Sequence, residues 1–328
     1  MTGHSERIAY SLGPLLSMHQ LLSFAKIADR EQKVDSLWVP ESWGRESFAT
    51  LGAMSQLTEH VSLGTSIINI YSRTPATVAM AASTMDMLSN NRTMIGLGSS
   101  TAAIVENFHG IRFQHPVDRM SEYICCLRLM LSGDKVSYDG RFFKINNFKL
   151  LHRPVRRNIP IYIAAINKKM LSLAAGLADG ILLYLRPLDE LKKTVSWLKQ
   201  RSQSRRFEIA CSLICALSNK DPDKARERAA KTLAFYVSVG KYYGKFLSEN
   251  GFKTDIENIT LEYHKNGADA AAKAVPKNML ESLTISGSAE ECIKSLAKFR
   301  STGITLPIIQ LNPMDDAESS IREVLSSL

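Results

Sequence analysis

Short apolar segments alternate with amphipathic segments along most of the chain. Eight segments rich in β-branched and other apolar residues have the length and composition of buried strands. They span residues 8–12, 36–39, 61–67, 93–97, 161–164, 180–184, 207–217 and 306–311. Parallel strands need crossover connections, and the segments between them have the periodicity of helices. Eight such repeats predict an α/β fold, a (β/α)8 TIM barrel with insertions.

Local signals mark where several of the helices begin. Thr74 followed by Pro75 is typical of a helix start, and after it Val78, Ala82 and Met85 fall on one apolar face. A capping-box pattern at residues 288–291 predicts a helix that continues to residue 299. Similar patterns predict further helices over residues 18–30, 47–58, 118–131, 168–176, 188–199 and 222–239.

Two segments interrupt the alternation. Residues 135–151 carry aromatic side chains around an Asp139-Gly140 turn, which predicts a hairpin. Residues 240–276 are polar and contain glycines, which indicates either a lid or a long helical insertion. We expect this second insertion near the C-terminal ends of the strands. The prediction is therefore a single barrel domain over residues 1–328 with two insertions.

Composition narrows the class of protein. Of the 328 residues, 45% are hydrophobic and 22% are charged, which is ordinary for a globular protein. The net charge of +9 could attract phosphates or acidic cofactors. The basic residues lie mostly on predicted helices without interleaved aromatics, so we expect no specific nucleic-acid partner. No apolar segment is long enough for a bilayer, so no membrane partner is expected.

Cysteine and histidine usage also restricts the chemistry. Five cysteines without a CxxC pair suit a reducing compartment, and a cytoplasmic location is expected. The seven histidines have no paired metal-ligand spacing, so no metal site is expected.

Active sites of (β/α)8 barrels lie in the loops that follow the C-terminal ends of the strands. Glu41 follows the second strand, where it could act in acid–base chemistry, orient a ligand or only support a helix cap. Residues 96–101, with sequence GLGSST, follow the fourth strand. They lack the third glycine of the dinucleotide fingerprint, but their hydroxyls and N–H groups could hold a phosphate or a ring carbonyl. The alternative is a loop of small residues that only turns the chain.

Several segments resemble the bacterial luciferase-like monooxygenase superfamily in the right order along nearly the whole chain. The resemblance is closest to the branch of the F420-dependent methylenetetrahydromethanopterin reductases. The segments are LGTSIINIYSRTPA at 63–76, TMDMLSNNR at 84–92, IPIYIAA at 159–165, AAGLADG at 174–180 and ISGSAEE at 285–291. The resemblance implies a (β/α)8 barrel that holds coenzyme F420 or FMN at the C-terminal ends of its strands.

It also implies particular site residues. The third strand would end in a bulge with a cis Ser66–Ile67 peptide that backs the ring. The implied cofactor-binding residues are Ser66, Ile67, Ile68, Asn69, Gly98, Ser99, Ser100, Thr101, Ala164, Ala165, Ile166 and Asn167. Glu41 is the candidate catalytic residue. Members that use deazaflavin commonly have Asp-His in place of Glu41-Ser42 and an acidic residue in place of Thr101.

These features favour an oxidoreductase that exchanges hydride between reduced F420 or FMN and a small organic substrate. The alternatives are an FMN-dependent monooxygenase supplied by a partner flavin reductase, and a non-catalytic flavin-binding protein on the same scaffold. Small residues in the predicted helices at 47–58 and 74–88 favour a homodimer formed through them.

Overall fold

The structure is a computed structural model that describes residues 7–152, 154–156, 158–202 and 206–328. The strands of the described part are β1 (Ile8–Ser11), β2 (Val34–Val39), β3 (Ser62–Thr65), β4 (Ile68–Asn69), β5 (Thr93–Gly98), β6 (Val136–Asp139), β7 (Lys144–Phe148), β8 (Ile161–Ala164), β9 (Gly180–Tyr184), β10 (Glu208–Leu217), β11 (Thr284–Gly287) and β12 (Leu306–Leu311).

The helices of the described part are α1 (Met18–Ala28), α2 (Ser47–Ser55), α3 (Pro75–Leu88), α4 (Ala102–Asn107), α5 (Pro116–Leu131), α6 (Lys168–Leu177), α7 (Leu188–Arg201), α8 (Pro222–Val239), α9 (Lys241–Leu247), α10 (Lys253–Asn266), α11 (Ala268–Lys273), α12 (Lys277–Leu283), α13 (Ala289–Ser301) and α14 (Ala317–Ser327). A π-helical turn, Ser248–Phe252, lies between α9 and α10. None of the described helices is long and apolar enough to cross a membrane.

Eight parallel strands with surrounding helices form a closed (β/α)8 barrel, which confirms the predicted fold class. All eight predicted strands are present. The structure adds β11, a short parallel strand beside β10 that the sequence analysis did not predict. The predicted strand at 61–67 is interrupted after Thr65 and resumes at Ile68.

The chain divides into two compact units, which we describe separately. The first unit is formed mainly by Ala25–Leu182. In it, β2, β3, β5 and β8 are neighbours in parallel register, and β8 also pairs in parallel with the first residues of β9. The Trp38 indole is fully buried and meets the Tyr162 ring edge-on, with ring centres 5.2 Å apart. A side chain at Gly64 would collide with this indole, which explains the glycine there.

The predicted hairpin also belongs to this unit. β6 and β7 pair in antiparallel register around the Asp139-Gly140 turn, which confirms the prediction for residues 135–151. The predicted start of α3 is confirmed as well, because the Thr74 hydroxyl accepts from the Thr77 N–H and Pro75 is the first helical residue. The helix predicted at 47–58 ends earlier, at Ser55.

The second unit contains residues 7–24, 183–202 and 209–328. Its parallel strands pair in the order β11, β10, β12, β1. The insertion at 240–276 is largely helical and packs its apolar residues against α8. The Tyr243 ring lies 5.5 Å from that of Tyr184, the last residue of β9. The start of the insertion therefore lies at the C-terminal end of β9, as expected. Its action as a lid and the single-domain organisation stay predictions.

Candidate functional site

The predicted site residues lie at the C-terminal ends of four neighbouring strands. Val39 in β2 is opposite Thr65 in β3. Ile68 in β4 is opposite Leu97 in β5, and Leu97 is opposite Ile163 in β8. The segments 66–69, 98–101 and 164–167 therefore end at one edge of the sheet, with Glu41 just beyond β2. The structure brings all thirteen predicted residues to this edge, while their roles stay predictions.

The third strand bulges where the resemblance predicts it. The Ser66–Ile67 peptide is cis. Gly64 is opposite Met94 and Ile68 is opposite Leu97, so four steps on one strand match three on its neighbour. One extra residue in a strand is a β-bulge, and bulges re-aim side chains beside active sites. Both the cis bond and the bulge are thus confirmed.

Most polar groups around the bulge have partners within the protein. The Thr65 hydroxyl donates to the Gly96 carbonyl at 2.9 Å and accepts from the Gly96 N–H at the same distance. Asn69 Oδ1 accepts from the Tyr71 N–H at 2.9 Å. By contrast, Ser66 Oγ and Asn69 Nδ2 are buried, and no described residue hydrogen-bonds to either atom. Buried polar atoms are nearly always paired, so these two atoms are candidates for hydrogen bonds to a ligand at this edge.

A glycine allows Ile67 to approach the neighbouring strand. A Cβ atom placed on Gly98 would lie 2.6 Å from the Cγ1 and Cδ1 atoms of Ile67. Any larger residue at Gly98 would therefore displace the Ile67 side chain, which is partly exposed. The next two residues, Ser99 and Ser100, are also partly exposed, and Ser100 has a left-handed backbone with φ of 58°. Such backbones are uncommon for serine and concentrate at ligand sites.

One threonine and one asparagine side chain at this edge each cap the start of a helix. Thr101 accepts from the Ile104 N–H at the start of α4. Asn167 Oδ1 accepts from the Met170 N–H at 3.0 Å at the start of α6. The first turn of α6 contains no acidic residue, and its first two residues, Lys168 and Lys169, are exposed. A helix N-terminus beside two ammonium groups attracts an anion such as a phosphate.

Glu41 lies in an ion pair rather than alone. Its carboxylate accepts from Arg73 Nη2 at 3.0 Å, from Arg73 Nε at 3.3 Å and from the Ser47 N–H at 2.9 Å. Burial acts to lower the pKa of Arg73, but its hydrogen bond with Glu41 and the charges of Glu41 and Glu46 raise it. These contacts fix the Glu41 carboxylate in place. They favour a positioning role, and the proton-handling role stays a prediction.

Several further side chains near this edge were not among the predicted site residues. Trp43 and Phe108 are 63% and 59% exposed, and their rings meet edge-on with centres 6.0 Å apart. Arg119 lies among aromatic rings that include Tyr71, which follows Asn69 by two residues. The exposed aromatic Trp43 beside Glu41 was a usable signal. Nothing in the local sequence links Arg119 to this edge.

The fold and this edge define a (β/α)8 barrel with a candidate ligand site at the C-terminal ends of adjacent strands. The model of the luciferase-like monooxygenase family matches residues 3–306. The chain belongs to this family of oxidoreductases, which confirms the superfamily resemblance.

Three related proteins illustrate the range of this family. The chain is 29% identical to the 5,10-methylenetetrahydromethanopterin reductase of Archaeoglobus fulgidus over 302 residues, 89% of each chain. It is similar to the structure of the coenzyme F420-dependent tetrahydromethanopterin reductase of Methanopyrus kandleri, with a TM-score of 0.87, 21% identity and 98% of each chain covered. An F420-dependent secondary alcohol dehydrogenase, bound to an F420–acetone adduct, gives a TM-score of 0.78 at 19% identity, with 98% of each chain covered. The two structures share the fold with this chain.

Proposed function

We propose that this protein is an F420-dependent oxidoreductase that transfers hydride between the deazaflavin and a small organic substrate. The observation that carries the proposal is the pair of buried, unpartnered polar atoms, Ser66 Oγ and Asn69 Nδ2, at the bulge. The names of the relatives described above support F420 over FMN as the cofactor.

The residues at this edge fit a flavin-type cofactor. Such a cofactor combines a flat ring that has a polar edge with a phosphate-bearing tail. The Asn69 amide is a hydrogen-bond donor for a ring carbonyl oxygen, and Ser66 Oγ can donate or accept. Ile67 offers an apolar surface to a ring face. The N-terminus of α6, with Lys168 and Lys169, provides donors and positive charge for a phosphate.

When bound, the cofactor supplies the hydride chemistry, and the protein supplies binding and orientation. The ionisable groups here are few and paired, as Glu41 with Arg73 shows. Hydride transfer requires less acid–base machinery than hydrolysis, so this scarcity agrees with the proposal. Glu41 would orient the substrate or handle a proton, and Arg73 holds its carboxylate in position.

A second candidate is an FMN-dependent monooxygenase, because the matching family model is that of luciferase-like monooxygenases. It would require reduced flavin from a partner reductase. A deazaflavin and a flavin differ at the reacting ring atom but share the ring edge and the phosphate. The contacts described above therefore suit both, and binding has to decide between them.

Separate titrations of the purified protein with F420 and with FMN test the proposal. We expect saturable binding of F420 that is at least about tenfold tighter than that of FMN, a difference of about 1.4 kcal/mol. Tighter binding of FMN would favour the monooxygenase, and binding of neither would overturn both. Oxidation of reduced F420 in the presence of ketones, aldehydes and imines then tests catalysis. Tight binding without turnover would favour the non-catalytic alternative.

A further inference from the structure

Arg119, in the first half of α5, has its guanidinium group among three aromatic rings. Its Cζ atom lies 4.8 Å from the ring centre of Tyr71, 5.0 Å from that of Phe143 and 5.9 Å from that of Phe142. In the described part of the chain, no carboxylate pairs with this guanidinium and no group accepts a hydrogen bond from it, although Nε is buried. The rings compensate part of the desolvation. The planar N–H fork, suited to carboxylate and phosphate, is left without an acceptor.

A second guanidinium group lies near one of these rings. The Cζ atom of Arg141 is 5.1 Å from the ring centre of Phe142. Arg141 Nη2 lies 3.0 Å from His115 Nε2, and among described residues it too has no carboxylate partner. Two like charges near one ring repel each other, and an oxyanion bound close to both would remove that repulsion.

Backbone contacts fix the position of these groups. Glu122, one turn after Arg119 on α5, accepts the backbone N–H groups of Arg141, Phe142 and Phe143 at 3.0, 2.9 and 3.4 Å. The turn passes so close that a Cβ atom on Gly140 would overlap the Glu122 carboxylate. The β6–β7 hairpin therefore holds its tip beside Arg119 before any ligand arrives, and such preorganisation lowers the entropic cost of binding.

The cluster is adjacent to the candidate cofactor site. The Tyr71 ring that supports Arg119 follows the bulge directly, and the Tyr71 N–H donates to Asn69 Oδ1 at 2.9 Å. We propose that Arg119 and Arg141 bind a carboxylate or phosphate group of the substrate, which would make the substrate an anionic compound. The assignment of this oxyanion to the substrate rests on the proposed function. Binding of an oxyanion by the two arginines does not.

Calorimetric titration of the full chain at low ionic strength tests the proposal. The probes are benzoate and phenyl phosphate, with uncharged benzamide as the reference compound. We expect saturable binding of at least one anion, and at least about tenfold weaker binding by Arg119→Met, because a charge-assisted bidentate contact is lost. Arg119→Lys keeps the charge without the fork and should be intermediate. Arg141→Met should also weaken binding.

Arg201→Met is the matched control. Arg201 also stacks on a ring, with its Cζ 4.2 Å from the Trp197 ring centre in α7, and its loss should leave anion binding unchanged. Equal affinities in the wild type, Arg119→Lys and Arg141→Met would overturn the proposal, as would absence of saturable binding. Arg141 is exposed, and the Arg141→Met variant should therefore fold. It remains informative if Arg119→Met fails to fold.

Titrations with F420 and FMN separate the two possible sources of the oxyanion. If a bound cofactor leaves anion binding intact, the site belongs to the substrate. Competition between benzoate and cofactor would overturn the substrate assignment, because the arginines would then hold the cofactor. A wild type that binds neither cofactor would refute the proposed function, while the anion titrations would still decide whether the arginines bind an oxyanion.

Discussion

Ser66 and Asn69 bury polar atoms for which the described part of the protein provides no partner. Leaving such an atom unpaired costs about 1–3 kcal/mol. The Thr65 hydroxyl, one residue earlier, has both a donor and an acceptor partner on Gly96. The Thr65 hydroxyl is thus paired, and the neighbouring Ser66 hydroxyl is not. Substitutions at these two residues can therefore separate a hydroxyl's contribution to folding from its contribution to ligand binding.

Ser66→Ala should therefore affect stability and affinity in opposite directions. Removal of the unpaired hydroxyl should leave the free energy of unfolding unchanged or raise it by up to about 1 kcal/mol. F420 affinity should fall about five- to tenfold, because a hydrogen bond to the ligand is lost. Urea unfolding and cofactor titration measure the two effects. Thr65→Val is the control and should destabilise the protein. A Ser66→Ala variant that is equally destabilised would contradict the prediction.

Ile67→Asp should weaken cofactor binding far more than folding. Ile67 is only partly buried, so the variant should still fold. An ionised carboxylate against an apolar ring face costs several kcal/mol, so F420 affinity should fall by about 100-fold or more. Ile293→Asp, at a half-exposed isoleucine of α13, is the control and should bind normally. If Ile67→Asp binds F420 with wild-type affinity, the ring lies elsewhere.

Among the elements, α1 and β3 are connected through one carboxylate. Asp29, just after α1, accepts the backbone N–H groups of Glu59, His60 and Val61, which lead into β3. Burial acts to raise the pKa of Asp29, but these three hydrogen bonds and the charge of His60 lower it below its ordinary value. Asp29 therefore stabilises the entry to the strand that carries the bulge.

Asp29→Asn should destabilise the protein at neutral pH by about 1–2 kcal/mol, because hydrogen bonds to a charged acceptor weaken. The folded-state pKa is lowered, so the stabilisation is present above the ordinary value near 4 and is lost as pH falls through the lower folded value. The stability difference between wild type and variant should therefore shrink as pH falls below about 4. Urea unfolding from pH 7 to pH 3 measures it. A pH-independent difference would contradict this role.

The elements also show which features a sequence pattern can predict. Eight strands and the start of α3 were predictable because apolar periodicity and Thr74-Pro75 act locally. β11 was missed because its four residues lie between α12 and the capping box of α13, where nothing distinguishes a strand from a linker. The bulge followed only from the family resemblance. Pattern alone predicted a continuous strand at 61–67.

At the scale of the whole chain, strand order determined how much of the site could be predicted. Parallel neighbours end at one edge, so segments far apart in sequence could be assigned to one site. Arg119 and Arg141 could not, because their contact depends on where the hairpin folds back onto α5 through Glu122. No local pattern encodes that long-range contact. The pairing of Arg73 with Glu41 could not be predicted for the same reason, because α2, β3 and β4 lie between the two residues in the sequence.

The surface of α2 and α3 provides an apolar stripe of the kind that oligomers bury. Met80 and Leu88 are 49% and 48% exposed. A shallow groove joins them, lined by Phe48, Thr77, Met80, Ala81, Thr84, Met85 and Leu88. The α3 residues of this groove recur at three- and four-residue spacing, so they form one face of the helix. Exposed patches of this kind mark interaction surfaces.

We propose that a second copy of the chain covers this stripe. A twofold axis places the same patch against itself, and the small residues Ala81 and Thr84 allow two α3 helices to approach closely. Light scattering at micromolar concentration should give a dimer mass for the wild type. Met80→Glu combined with Leu88→Glu should shift the protein to monomers, because the interface would bury unpaired like charges. Leu261→Glu, at a similarly exposed apolar residue of α10, is the control and should stay dimeric. A monomeric wild type would rule out the dimer. A double variant that stays dimeric would place the subunit contact elsewhere.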